Sequence, residues 1–218
     1  MHALIDADSL VYAAAYSAQT KDTQGCVVPL GEGLAIHYLD NSVEDIVNLF
    51  DSFQLYLTPD VTFRTHMVGY KDGRGSRPHH YHTLRNRLTE HWGASVCDNM
   101  EADDILSILG WKAFREGRGD VVMVSIDKDL DQVPGKHYNY RKSLFYYLTE
   151  EEANYNFWKQ MLMGDQADNI QGIPSCGAKN AEKILNESDD WESAVREIYT
   201  IGRQDYDTNY KMLRLLDE

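Results

Sequence analysis

"DVVMVSID", Asp120–Asp127, holds four consecutive apolar residues, Val121–Val124, and ends in an acid. A short apolar stretch without alternation reads as a strand buried on both faces, as in a parallel sheet. Two other stretches repeat the plan. "HALID" (2–6) closes on Asp6, and "QLYLT" (54–58) is followed at once by Pro59 and Asp60. Between and after them lie helical patterns: "SLVYAAAYSA" (9–18), "SVEDIVNLFDSF" (42–53), "YHTLRNRLTEHWG" (81–93) and "EADDILSILGWKAFREG" (101–117). Residues 19–41 and 64–82 read as irregular, the latter basic and punctuated by glycine. "ASVCD" (94–98) suggests a short strand, and "KHYNYRKSLFYYL" (136–148) a packed pair of strands.

From residue 149 onward the patterns are all helical. "TEEEANYNFWKQMLM" opens with Thr149 and Glu152 at capping-box spacing. "AKNAEKILNE", "DWESAVREIY" and "YKMLRLLDE" follow. Strands alternating with helices, then helices alone, predict an α/β core with a mostly parallel sheet over 1–148 and a helical part over 149–218.

The totals restrict the class. The chain has 218 residues, 43% apolar and 26% charged, as expected of a globular protein. No apolar run is long enough to span a membrane. The opening residues lack a basic leader, and Asp6 and Asp8 interrupt them, so they are read as folded structure. Three scattered cysteines predict a reduced, intracellular, cytoplasmic protein without a disulfide framework. A net charge of −14 speaks against a nucleic-acid binder unless the acids are clustered.

They are clustered. Asp6, Asp60 and the pair Asp127 and Asp129 fall at or just beyond strand ends. Glu101, Asp103 and Asp104 open a helix, and Asp165 and Asp168 sit in "GDQAD". In an open parallel sheet the carboxyl ends of the strands share one edge, where ligands bind. Taken singly, each acid is an ordinary turn former, helix cap or dipole partner. Nine carboxylates on five segments, all suited to one edge, instead predict bound cations. Oxygen ligands without nearby Cys or His favour Mg²⁺, with Mn²⁺ as substitute. Two such ions suit phosphodiester hydrolysis. Setting these acids aside leaves only a mildly acidic surface.

"NIQGIPSCGAKNAEKIL" (169–185) reads as helix, tight turn, helix. The amides around Gly172, Ile173, Ser175 and Gly177, with Lys179 and Lys183 on one helix face, would hold a phosphate backbone without reading sequence. The alternative is a plain helix–helix turn. The His79, His80 and His82 cluster reads as solvated rather than as a zinc site.

"LIDADSL" (4–10), "PDVTFR" (59–64), "YKDGR" (70–74), "MEADDIL" (100–106), "VSIDKDLDQV" (124–133) and "MGDQADNIQGIPSCGAKNA" (163–181) together resemble the 5′ nucleases. These are the flap endonucleases and the 5′→3′ exonucleases of phages and of bacterial polymerase I. The resemblance implies a PIN-like nuclease core and a helix–three-turn–helix at 163–186. It implies that all nine acids are metal ligands. Asp6, Glu101, Asp103, Asp127 and Asp129 would serve one ion, and Asp165, Asp168 and Asp60 the other. Residues 64–92 would form a short arch admitting a 5′ strand. There Tyr70 would stack on a base, Lys71 and Arg74 would act on the scissile phosphate, and Arg64 and Arg77 would touch DNA. A K⁺ ion at the helix–three-turn–helix is also implied. So are DNA substrates with a 5′ flap, nick or 5′ end, or an RNA/DNA hybrid, in replication or repair, and a phage origin in a host cytoplasm would fit. Three departures stand out. The 64–101 stretch is short, so the arch is expected to be reduced or open. Ser175 replaces a usual glycine, and Asp8 is expected to support the ligands. A haloacid-dehalogenase-type phosphatase using Asp6 and Asp8, a PIN-type ribonuclease and a non-catalytic DNA-binding module are the rival readings.

Overall fold

A computed structural model describes residues 1–73 and 75–218. The main sheet contains β1 (His2–Asp6), β4 (Ser52–Leu57), β5 (Ser95–Val96), β6 (Val121–Val124), β7 (Gly135–Asn139) and β8 (Leu144–Leu148) in the order β5-β4-β1-β6-β7-β8. All neighbours are parallel except β7 and β8, which form an antiparallel hairpin. β1 therefore lies between β4 and β6, where the strand order reverses. That is the place at which an open sheet parts its loops into a crevice. β6 is buried along its whole length, as its unbroken apolar sequence requires.

Helices cover both faces. α1 (Asp8–Ser17), α2 (Glu32–Val47) and α3 (Tyr81–Glu90) pack on one face through Leu10, Val11, Leu39, Val43, Leu84 and Leu88. α4 (Ala102–Arg115) packs on the other through Leu106 and Trp111. The fit is close at Gly110, where a Cβ would lie 2.6 Å from Val133 Cγ1. α5 (Glu150–Met163), α6 (Ala178–Asn186), α7 (Trp191–Gly202) and α8 (Tyr206–Leu213) enclose a separate core around Phe157, Met161, Leu185 and Tyr199.

Three local expectations need correction. Residues 19–41 are ordered: β2 (Gln19–Lys21) and β3 (Val27–Pro29) form a hairpin. α2 then starts ten residues before the apolar periodicity suggests. Its buried stripe begins at Ala35, behind the extended Gly31. The last helix ends at Leu213, and the final residues run back as an extended strap over α4. Nor does a helix lead directly into Gly172. β9 (Gly164–Asp165) and β10 (Ile170–Gln171) form a minimal hairpin there, with Gly164 and Asn169 at positive φ.

That hairpin depends on two glycines. A Cβ on Gly172 would sit 2.3 Å from Gly164 N and 2.5 Å from Leu162 O. These are backbone atoms that cannot move aside. Gly172→Ala is therefore expected to cost about 3 kcal/mol, the upper range for overpacking. Urea unfolding followed by circular dichroism checks this, and an unchanged midpoint would refute the close backbone approach.

Candidate metal and phosphate site

Seven of the nine expected acids converge. Asp6 ends β1, and Asp127 and Asp129 follow β6. Glu101 and Asp103 lie at the start of α4, and Asp165 and Asp168 at the β9–β10 hairpin. Glu101, Asp103, Asp127, Asp129, Asp165 and Asp168 line one cavity of about 110 Å³, together with Lys71 and Lys128. Asp6 lies against it, close enough to Asp127 and Asp103 to raise their mutual repulsion. The floor is buried, while Asp127 and Lys128 stand exposed at the mouth.

Each acid is held by its own element. Asp6 accepts from Asp8 N–H at 3.1 Å and from the Ser125 hydroxyl at 3.0 Å. Ser125 in turn accepts from Asp127 N–H, and Asp127 accepts from Asp129 N–H. Asp129 accepts from the Gln160 amide at 2.7 Å, and Asp165 from Ala167 N–H at 2.8 Å. A network of backbone and amide donors thus fixes anionic oxygens around a common space.

Two lysines pair with these acids. The Lys128 ammonium bridges Asp129 and Asp165. The Lys71 ammonium is paired with Glu101 and lies 3.7 Å from Asp168. Among the described residues no three acids are assembled as a ready metal cage.

The electrostatics show what is unbalanced. Burial, then Asp8 and Asp127, push the Asp6 carboxyl up to about 7. Burial and Asp127 push Asp129 up to about 6. Burial, then Asp6 and Asp127, hold Asp103 well above the usual carboxylate range, and its Oδ1 is buried with no partner. Burial acts against Asp165 too, but its hydrogen bond from Lys128 prevails and lowers it. The oxygen-only donor set, the repulsion and the orphaned Asp103 oxygen fit a divalent cation.

Two expected ligands lie elsewhere. Asp60 is 71% exposed and pairs with Arg77. The chain turns away after β4, and Thr58 occupies the strand end, accepting Ala102 N–H on its hydroxyl. Asp104 is fully buried in a bidentate pair with Arg64, which is itself 1% exposed and so is no DNA contact. Tyr70 is buried in the helical core and donates to Glu101 at 2.8 Å, which rules out stacking on a base in this arrangement. Residues 81–90 of the expected arch are α3, packed into the main core, so the open segment is short. Arg77 is partly exposed over the Tyr81 ring, and Arg74 lies outside the described residues. Asp8 pairs with Arg85 at 2.9 Å and accepts Thr58 N–H on its side chain, while its backbone N–H donates to Asp6. The His80 ring is hydrogen-bonded to the Leu30 carbonyl and serves as a loop anchor.

The glycine loop follows the β9–β10 hairpin. Ile173 N–H is spent on Leu162 O, so that amide is not presented, and Gly172 packs against the backbone of Leu162 to Gly164. Ser175, Gly177 and Lys179 are exposed at the start of α6, and Lys183 is 72% exposed one turn on. Ser175 has φ +61°, a conformation that favours glycine. Sequence reading missed Thr58, Ser125, Gln160 and the placement of Lys128. Only Lys128, inside "DKD", carried a visible signal.

No family model matches the chain. DNA polymerase I of Streptococcus pneumoniae serotype 4 is 33% identical over 157 residues, covering 63% of this chain and 18% of that protein. A 5′-3′ exonuclease of Buchnera aphidicola is 26% identical over 220 residues, covering 92% of this chain and 70% of its own length. The flap endonuclease Xni of Shewanella amazonensis is 28% identical, covering 65% and 61%. The chain thus spans less than a fifth of the polymerase I relatives. The T5 D15 protein, co-crystallised with metal ions, aligns with a TM-score of 0.63 at 14% identity over 99% of this chain and 88% of its own. The fold is that of the 5′ nucleases, and the chain resembles them in sequence as well as in fold.

A pH dependence follows. Raised folded-state values at Asp6 and Asp129 favour the fold while those groups are protonated. That contribution is lost as pH climbs from about 4 through 6 and 7. Metal-free protein in EDTA should therefore melt at progressively lower temperature across this window. Millimolar Mg²⁺ should offset the loss at pH 7 and do little at pH 4. A flat metal-free profile would count against the cluster.

Proposed function

We propose that this chain is a structure-specific, Mg²⁺-dependent 5′ nuclease, hydrolysing DNA phosphodiesters near a 5′ end or flap junction in replication or repair. The observation that carries this reading is the convergence of seven acids from separate segments at one edge of the sheet. The flap endonuclease and exonuclease relatives support it. So does a T5 flap endonuclease structure described as a pseudo-enzyme-product complex with DNA and metal ions, matched at TM-score 0.61.

Asp6, Glu101, Asp103, Asp127, Asp129, Asp165 and Asp168 would hold two Mg²⁺ ions. When bound, such ions lower the pKa of water and neutralise charge on a phosphodiester. The protein's own residues do the rest. Gln160 and Ser125 keep the carboxylates oriented. Lys71, already over the cavity, places a positive charge for the scissile phosphate. The exposed amides and Lys179 at the head of α6 take the neighbouring backbone, and K⁺ there would screen the contact. A 5′ single strand would pass beside Lys71 and Arg77. A reducing cytoplasm suits the free Cys26, Cys97 and Cys176. The phosphatase alternative would use Asp6 and Asp8 and leave Glu101, Asp103, Asp127 and Asp129 without work.

A 5′-flap duplex labelled at each strand end, resolved on a denaturing gel, tests the reading. Cleavage near the junction with Mg²⁺ and none with EDTA is expected, whereas no cleavage with Mg²⁺ or Mn²⁺ would overturn it. Asp127→Asn should reduce cleavage to background and leave DNA binding intact. Lys179→Ala should weaken binding and lower the slope of log affinity against log salt by about 1. An unchanged slope would remove the α6 loop from the DNA contact.

A further inference from the structure

We propose that Arg64 and Asp104 are positioning residues. As a buried ion pair they hold the Glu101 carboxylate in the acid cluster and pin the C-terminal strap that walls the cavity. The inference rests on the nuclease reading for its activity readout, but its structural part stands alone.

Three segments meet at this pair. Arg64 comes from the short 3-10 turn Phe63–His66, Asp104 from the first turn of α4, and the strap from beyond α8. Both Asp104 oxygens accept from the Arg64 fork. Asp104 Oδ2 also accepts Glu101 N–H at 3.1 Å, and Oδ1 accepts Leu216 N–H at 3.2 Å. Arg64 Nη2 donates to the Arg214 carbonyl at 2.7 Å, and Nη1 lies 3.6 Å from Glu101 Oε2. Gln132 completes the fastening, donating to Leu213 O at 2.9 Å and accepting Leu215 N–H. Leu213 and Leu215 line the acid cavity beside Arg64 and Glu101.

Stability alone does not require such a pair. A buried ion pair is often replaceable by apolar residues at little or no cost, because desolvation offsets its attraction. What an apolar pair cannot supply is the acceptor for Glu101 N–H, the cation beside the Glu101 carboxylate or the donor for the strap. The design therefore favours geometry over energy. A fork also fixes direction, which a single ammonium does not.

The test compares the full-length wild type with Arg64→Met/Asp104→Leu, an apolar pair of similar volume. The double variant should still unfold in one cooperative transition, at a somewhat lower temperature because Glu101 N–H, Leu216 N–H and the Arg214 carbonyl lose their partners. Its kcat on the flap duplex should fall about a hundredfold with KM little changed, as expected of a slight misplacement. The Mg²⁺ concentration for half-activity should rise about tenfold. Glu101→Gln should cost much less in that background than alone, because both changes disable one unit. The Leu215 amide, whose acceptor Gln132 is untouched, should exchange faster by hydrogen-exchange mass spectrometry. Full additivity with Glu101→Gln, or an unchanged kcat, would overturn the positioning role. Unchanged Leu215 protection would overturn the strap. If the double variant does not fold, Arg64→Lys serves instead. It keeps the charge and loses the fork, and wild-type kcat in that variant would equally refute the proposal. If wild type itself cleaves nothing, the nuclease reading fails, and Leu215 exchange still decides the clamp.

Discussion

The rest of the structure is organised around like-charge repulsion at one edge of a sheet. Carboxylates from β1, β6, α4 and the β9–β10 hairpin are brought within reach of one another and half removed from water. Such a group resists ionisation, as Asp6, Asp103 and Asp129 do. Two ammonium groups reduce the strain, and divalent cations would reduce it further. The remainder of the fold makes that arrangement affordable. The buried β6 strand, the three helices on one face and α4 on the other fix the strand ends from which the acids project.

Charge in this chain falls into two kinds that look alike in one dimension. Glu101 and Asp103 face the cavity, whereas Asp104, in the same helical turn, faces inward onto Arg64. A helix turns by about a quarter of a circle per residue, so neighbours in sequence serve different sides. The acids at strand ends were legible because a parallel sheet sends its carboxyl ends to one edge. Asp60 misled because strand-end position was inferred from sequence, while the chain had already turned at Thr58 and Pro59. Arg64 and Tyr70 misled because a cation or an aromatic in a polar loop suggests a ligand contact. Their partners, Asp104 and Glu101, lie some thirty to forty residues away. No local pattern reports such a pairing.

The same holds for the elements. α3 and α4 were visible from periodicity and from Gly117, which takes a positive φ at the helix end. The start of α2 was hidden by glycines, and its buried stripe rests on Ala35, too small to mark a face. The strap after α8 looks helical in sequence because Leu213, Leu215 and Leu216 keep an apolar pattern. Its backbone groups instead find acceptors and donors in Gln132, Arg64 and Asp104.

Gly164 and Gly172 touch backbone to backbone with no side chain between them. Asp165 follows the first, and the exposed loop into α6 follows the second. The interval from the acid cavity to that loop is therefore written in main-chain atoms, not in rotamers. Rotamers relax by ångströms, and a main-chain contact of this kind does not. The two glycines act as a fixed gauge block, and any polymer held at one end of it is presented to the other at a set number of repeat units.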